Sequence, residues 1–197
     1  MNKLLLLWAG CLCALTAQAA GDEWLVRLQQ AVRALGAYEV RFSLATTDGY
    51  TASGSCRVAG ERYLIELPRV LVFCDGEARY EVNEESREVV VDRVDTQSNN
   101  LLDNPVRAFD FAGEQYAVEV LAETAERIEL RLTPRAAGSV AAIDLVLDKS
   151  SVLPTAVTYG AEEVKIMLTI SSFKSSSAAF PPFGRSDFPQ YVWIDFR

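Results

Sequence analysis

From Trp24 to Leu35 the apolar residues Trp24, Leu25, Leu28, Ala31, Val32 and Leu35 recur at helical spacing, with Arg27, Gln29, Gln30 and Arg33 between them and Gly36 behind. The spacing predicts an amphipathic helix over 22–35 with a wide apolar stripe, stopped at the glycine. From Ala37 the period changes to two. Tyr38, Val40, Phe42 and Leu44 alternate with Glu39, Arg41 and Ser43, and Asp48-Gly49 supplies a turn. Further strands are predicted over 50–58, 62–67, 70–74, 77–82 and 87–93, then over 115–121, 126–133, 140–147, 154–159 and 163–173. Asp75-Gly76, between two short apolar runs, is the sharpest hairpin signal.

The alternation leaves one face of each strand apolar. Tyr80 and Val82 oppose Glu77, Arg79 and Glu81, and Ile128, Leu130 and Leu132 oppose Arg127, Glu129 and Arg131. About eleven such strands must curl or close to bury that face, because a flat sheet would leave it and two edges wet. The expected fold is mainly β (α+β): an unclosed antiparallel barrel or strongly curved sheet, with an N-terminal helix and a short helical lid segment. The lid is expected where the meander breaks, from Thr96 to Gly113. There Leu101, Leu102, Val106, Phe109 and Phe111 stand among Asn99, Asn100, Asn104 and Pro105, and a break of that length carries function or its own short helix. The tail, from Phe180 to Phe196, reads as a crossing segment followed by a last strand.

Residues 1–19 carry a cationic start at Lys3, an apolar run from Leu4 to Leu15 and the small-x-small triplet Ala17-Gln18-Ala19, the three parts of a cleavable export signal. A lipoprotein box would need a better match than Trp8-Ala9-Gly10-Cys11. Residues 20–197 are then one mature domain, expected in the periplasm. Removing the signal leaves 18 basic against 27 acidic residues, a net charge near −9. Nucleic acid is a poor partner for such a surface, since phosphate binding needs a basic face. Cys56 and Cys74 also survive cleavage. If 53–58 and 62–67 pair around Gly60, Cys56 lies opposite about Ile65 and Ile65 opposite about Val72, placing the cysteines two strands and about 9.5 Å apart. That exceeds the roughly 7 Å limit for bridging, so two buried free thiols are expected.

The chemistry is sparse. The sequence has no histidine, which removes the commonest acid-base group, nucleophile partner and metal ligand. Ser171-Ser172-Phe173-Lys174 has Ser-x-x-Lys spacing but lies at a strand end without its companion motifs. Glu84-Glu85 and Glu162-Glu163 read as solvated turns, and Asp92 and Asp95 are too sparse for a calcium loop. No catalytic residue, metal ligand or cofactor is expected, and the chain is not expected to be an enzyme. What is left is a large apolar interior, which in a curved sheet either fills with side chains or holds an acyl chain.

A set of segments tilts this choice. They are Leu35-Gly36, Glu39-Val40-Arg41-Phe42-Ser43, Gly54-Ser55-Cys56-Arg57-Val58 with Glu61-Arg62-Tyr63-Leu64-Ile65, the central Phe73-Cys74-Asp75-Gly76-Glu77-Ala78-Arg79-Tyr80-Glu81-Val82, Leu132-Thr133-Pro134, and the ending Tyr191-Val192-Trp193-Ile194-Asp195-Phe196-Arg197. In order and spacing the chain resembles the periplasmic outer-membrane lipoprotein carrier family, the LolA-like proteins, of the Bacteroides-group type. The resemblance departs from the pattern at Gly60-Glu61, where a basic residue and proline are usual, and at Tyr63, a shifted aromatic. It implies an unclosed barrel lidded by helices. The cavity of such a barrel takes acyl chains of lipoproteins or other lipids between an inner-membrane releasing complex and an outer-membrane acceptor. On this reading Phe42, Leu44, Ile65, Leu67, Phe73 and Tyr80 line the cavity, Leu28, Val32, Leu101, Leu102 and Phe109 belong to the lids, and Arg62 tethers the lid. A monomer is expected. The alternative within the same resemblance is a sensor or scaffold that docks a protein partner and carries no lipid.

Overall fold

The structure is a computed structural model that describes residues 20–95, 104–107, 109–110, 112–136, 140–161, 164–177 and 179–197. A helix over 20–35 (α1) is followed by strands β1 (Tyr38–Thr46), β2 (Thr51–Ala59), β3 (Arg62–Leu67), β4 (Val70–Cys74), β5 (Ala78–Asn83) and β6 (Glu88–Arg93). The lid segment contributes a 3-10 turn at Pro105–Arg107 and a short helix, α2 (Ala112–Gln115). Then come β7 (Tyr116–Glu123), β8 (Arg127–Pro134), β9 (Val140–Asp148), β10 (Pro154–Ala161) and β11 (Val164–Ser175), a second 3-10 turn at Arg185–Asp187, and β12 (Val192–Asp195). Every expected strand is present, displaced by at most about two residues, and the tail supplies the twelfth. Among the described residues no helix is long and apolar enough to cross a membrane.

All twelve strands form one sheet in the order β12-β6-β5-β4-β3-β2-β1-β11-β10-β9-β8-β7. Neighbours are antiparallel except β12, which runs parallel to β6. Residues of β3 and β10 line one small cavity although four strand intervals, about 19 Å along the sheet, separate them. The sheet is therefore strongly curled, and β7 and β12 remain as its edges. At the middle of the curl the β1–β11 register shifts between Arg41 and Phe42. That bulge leaves Ser171 unpaired, its Oγ donating to the Arg41 carbonyl at 3.2 Å, and bulges sharpen local bend and twist.

The inner face, under α1, holds the main core. Trp24, Leu25, Leu28 and Val32 of α1 bury against Val118, Ile128, Leu130, Leu132, Ile143, Leu145 and Leu147 on one side and against Tyr38, Phe42, Cys56 and Ile65 on the other. Gly36 ends the helix with φ +67, a left-handed turn that glycine adopts without penalty. The apolar alternation expected of each strand is present, but it does not stay on one side of the sheet. On β5 the inner residues are Arg79 and Glu81, opposite Cys74 and Val72 and ion-paired to each other at 2.9 Å. The apolar side of β5 and β6, with Ala78, Val82, Val89 and Val91, faces outward, where Phe183, Phe188, Tyr191 and Trp193 of the tail cover it. β3 and β4 stand where the two cores overlap. Tyr63, Leu64 and Ile65 in one, and Val72, Phe73 and Cys74 in the other, are all buried.

The cysteine register is as expected: Cys56 pairs with Ile65 and Ile65 with Val72, and both cysteines are free and buried. Gly54 faces Phe42 across β1–β2. A Cβ there would stand 2.6 Å from the Glu66 carbonyl oxygen and 2.7 Å from Leu67 Cδ2. Gly54→Ala is therefore expected to lose about 1–3 kcal/mol of stability through overpacking, measured by urea unfolding. A neutral result would mean that β3 shifts freely.

Candidate functional site: an apolar cavity under the lid

The candidate site lies where the curl leaves α1 short of the sheet. β1 contributes Tyr38, Val40 and Phe42, β2 Cys56, and β3 Ile65. β10 contributes Pro154 and Val157, and β11 contributes Leu168, Ile170 and Phe173. Val32 of α1 and Pro105 and Phe109 of the lid segment close it. The free volume is about 80 Å³ and the lining is almost wholly apolar. This is well below the roughly 300–1,000 Å³ of ordinary ligand pockets. Its own side chains leave little free space in it.

Several polar contacts fasten the described part of the lid. Tyr38 Oη donates to the Pro105 carbonyl at 3.1 Å, Gln29 Nε2 to the Phe109 carbonyl at 3.0 Å, and Asn104 Nδ2 to the Asp95 carbonyl at 3.1 Å. Arg33 Nη2 pairs with Asp110 Oδ1 at 2.8 Å, both side chains well exposed. Such an exposed pair is worth about 0–1 kcal/mol. Beside these modest ties stands a large apolar anchor. Phe109 is 4% exposed and holds φ at +72, which costs a non-glycine residue about 1–3 kcal/mol. The ring is thus driven into the cavity by burial at the expense of backbone strain.

Two titratable groups touch the cavity. Burial, with Cys56 and Asp110 nearby, pushes the Tyr38 phenol well above its ordinary value, so it stays protonated and keeps donating to the lid. Burial pushes the Cys56 thiol up to about 12. Neither group is a base or nucleophile near neutral pH.

Of the residues expected from the sequence, Phe42, Ile65, Val32 and Phe109 meet at this cavity. Leu28 and Leu44 are buried in the surrounding core, with Leu67 packed against it. Leu101 and Leu102 lie outside the described residues. Phe73 and Tyr80 are corrected: they point to the outer face, where Phe183 stacks on Phe73 at 4.8 Å and meets Tyr80 at 5.1 Å between ring centroids. Arg62 is corrected with them. Its guanidinium lies 5.0 Å from the Phe180 ring centroid, fastening the tail rather than the lid. The reason is register: Arg62, Leu64 and Phe73 share the outer face once Leu64 pairs with Phe73. The residues that do hold the lid, Gln29, Arg33 and Tyr38, were legible only as polar or apolar positions of their elements. The spacing of Gln29 and Arg33, four apart on one flank of the helix, was their one signal.

The unclosed antiparallel sheet curled about a helix and crossed by a lid is the architecture the sequence resemblance implies. No protein-family model matches the chain, and no curated protein matches it in sequence. A conserved protein from Thermus thermophilus superposes on this fold with TM-score 0.56 and 11% identity, covering 90% of this chain and 99% of that one. Lipoprotein LppX from Mycobacterium tuberculosis gives 0.46 at 13% identity, over 81% and 98% of the two chains. A LolA superfamily protein from Nitrosomonas europaea gives 0.41 at 10%, over 85% and 96%. At 11% identity the likeness to the Thermus thermophilus protein is one of fold alone.

Proposed function

We propose that the chain is a periplasmic carrier that binds acyl chains of lipoproteins or other lipids in this cavity and shuttles them towards the outer membrane. It would take cargo from an inner-membrane releasing complex and yield it to an outer-membrane acceptor, with no bond made or broken. The observation that carries the reading is an apolar cavity walled in part by one strained phenylalanine, under a lid tied by a few polar contacts. Burying one methylene gains about 0.8 kcal/mol, so a chain of about a dozen carbons offers near 10 kcal/mol before ordering costs. That margin is ample to displace Phe109 and break the lid's ties. With about 80 Å³ free, the lid must yield before anything of that length can be taken in.

Cys56 gives the test a reporter inside the cavity. A thiol held neutral at pH 8 and covered by the lid should react with a polar disulfide reagent orders of magnitude more slowly than an unfolded control. Delipidated protein should bind acylated peptide or fatty acid in an exchange assay, and bound ligand should slow Cys56 further. Failure to bind either ligand sinks the carrier reading. The raised thiol also sets a direction for stability. The unfolded chain loses its proton first as pH rises above about 8.5, so this contribution is intact below that value and declines towards pH 12.

A second reading is favoured by the size of the cavity. With only about 80 Å³ free, the fold could serve as a module that docks a protein partner and carries no lipid. A partner that survives delipidation in pull-downs, with no exchange of acyl ligand, would establish it.

A further inference from the structure

The apolar cavity shares two of its walls, Val32 and Tyr38, with a neighbouring cleft of about 210 Å³ whose lining is part polar. Gln29, Arg33 and Asp110 line that cleft, with Gly60 of the β2–β3 turn at its far side. We infer that the ligand is a single-chain anionic amphiphile, its tail in the cavity and its carboxylate or phosphate head in this cleft on Arg33. The inference rests on the carrier reading above and narrows it to one class of cargo.

The limit to one chain comes from the packing. The β7–β9 half of the interior is shut off from solvent: Val118, Ile128, Leu130, Leu132 and Leu147 have no exposure and belong to the same buried cluster as Trp24, Leu25 and Leu28 of α1. Protein interiors are close-packed and do not make room for a ligand without loss. Space can be gained only where the lid contributes, by withdrawing Phe109 and Pro105 from a free volume of about 80 Å³. That admits one linear chain and leaves no place for a second or third beside it.

The charge of the head follows from the donors at the junction. Arg33 and the Gln29 amide face the cleft and the Tyr38 hydroxyl stands at the shared wall, each now committed to the lid. When Phe109 withdraws, all three donors lose their partners together. An anionic head restores them, and a guanidinium binds carboxylate or phosphate in a bidentate fashion. Asp110 is the one carboxylate among the described lining residues of the cleft, and its exposed pairing with Arg33 is cheap to exchange. On a chain with 27 acidic residues, a guanidinium at the cavity mouth selects for anions where the rest of the surface repels them.

The test uses laurate and dodecyl phosphate as charged single-chain probes, dodecanol as the uncharged one, and a triacylated lipopeptide as the multi-chain one, each titrated below its aggregation limit. Laurate and dodecyl phosphate should bind one to one, with the tighter of the two identifying the head. Arg33→Gln should weaken both by about 10-fold and change dodecanol by less than about twofold. Asp110→Asn, which frees Arg33 from its competitor, should tighten the charged probes several-fold. If Arg33 is only a lid tether, both substitutions loosen the lid and shift all single-chain probes in the same direction, which overturns the assignment. Lipopeptide binding as tight as laurate overturns the one-chain limit while leaving the carrier reading intact. Binding of neither laurate nor lipopeptide ends both.

Discussion

Phe109→Ala is expected to raise affinity for an acyl ligand by about 10- to 100-fold and to lower the melting temperature of the ligand-free protein. On the carrier reading the ring occupies volume the ligand needs, so binding would begin by expelling it. Returning a phenylalanine side chain from the interior to water costs about 1.5–3 kcal/mol. Alanine removes most of that cost from the binding equilibrium and the same amount from the stability of the closed state. Phe109→Gly separates the backbone from the ring. Glycine relieves the φ of +72 that alanine must still bear, so the closed lid is firmer in Gly than in Ala and the gain in affinity smaller. Titration calorimetry with a fatty acid, alongside thermal melts with and without ligand, reads both quantities. Affinity that falls in both variants would mean that Phe109 grips the ligand instead of yielding to it.

This opposition between ring and ligand bears on release as well as capture. A carrier must let go, and a cavity that stood open would bind an acyl chain close to the full transfer energy. Here the lid offers a competing apolar group for the same space, and the strain at Phe109 keeps that competitor from winning outright. The polar ties, through Gln29, Arg33, Tyr38 and Asn104, add direction: they re-form only when the segment returns to one position over α1 and β1. Under the proposed function, an acceptor that gathers the ligand's first exposed carbons would be helped by the ring moving in behind.

The strands, their order of appearance, and the pairing of Cys56 with Ile65 were legible because alternation and turn residues act locally. Asp75-Gly76 is the clearest example. Asp75 Oδ1 accepts from the Glu77 and Ala78 amides at 2.8 and 2.9 Å and Gly76 takes φ +101, so three residues close the β4–β5 hairpin unaided. Which face of a strand turns inward is a different kind of fact. Period-two spacing groups Phe73 away from Val72 and Cys74, and Tyr80 with Val82, but it is silent on which group meets α1. That was settled by the tail, more than a hundred residues beyond Phe73, which supplies a second apolar layer. β4, Val70-Leu71-Val72-Phe73-Cys74, carried the one warning: five apolar residues in a row, the mark of a strand buried on both faces. The candidate site divided the same way. Phe42, Ile65, Val32 and Phe109 were found because apolar stripes point to a common interior. Arg33 and Gln29 escaped because a polar residue on a helix flank looks alike whether it meets water or a lid.

Ending the chain at Ser177 is expected to do more damage than any substitution in the cavity, although every cavity residue would remain. The tail stacks Phe183 on Phe73, brings Trp193 to 6.3 Å from Tyr80, and adds β12 beside β6 through Val192 to Asp195. Without it Leu64, Phe73, Val82, Val89 and Val91, each at most 4% exposed, would face water on the outer side. Four aromatic side chains of about 150–250 Å² each are involved, and even half-buried they contribute on the order of 8 kcal/mol gross at about 25 cal/mol per Å². A domain stable by about 5–15 kcal/mol does not survive a loss of that order with β4–β6 intact. The inner faces of β5 and β6 offer no refuge, since Arg79 and Glu81 occupy the positions opposite Cys74 and Val72. The truncated protein should therefore lose near-ultraviolet circular dichroism and show a reduced urea m-value, as a shortened cooperative unit requires. Trp193→Phe, which keeps the layer, should cost only about 1–2 kcal/mol. A truncated chain that melts cooperatively at the parent temperature would show the tail to be a detachable strap, and Phe73 and Tyr80 would then belong to a surface rather than to a core.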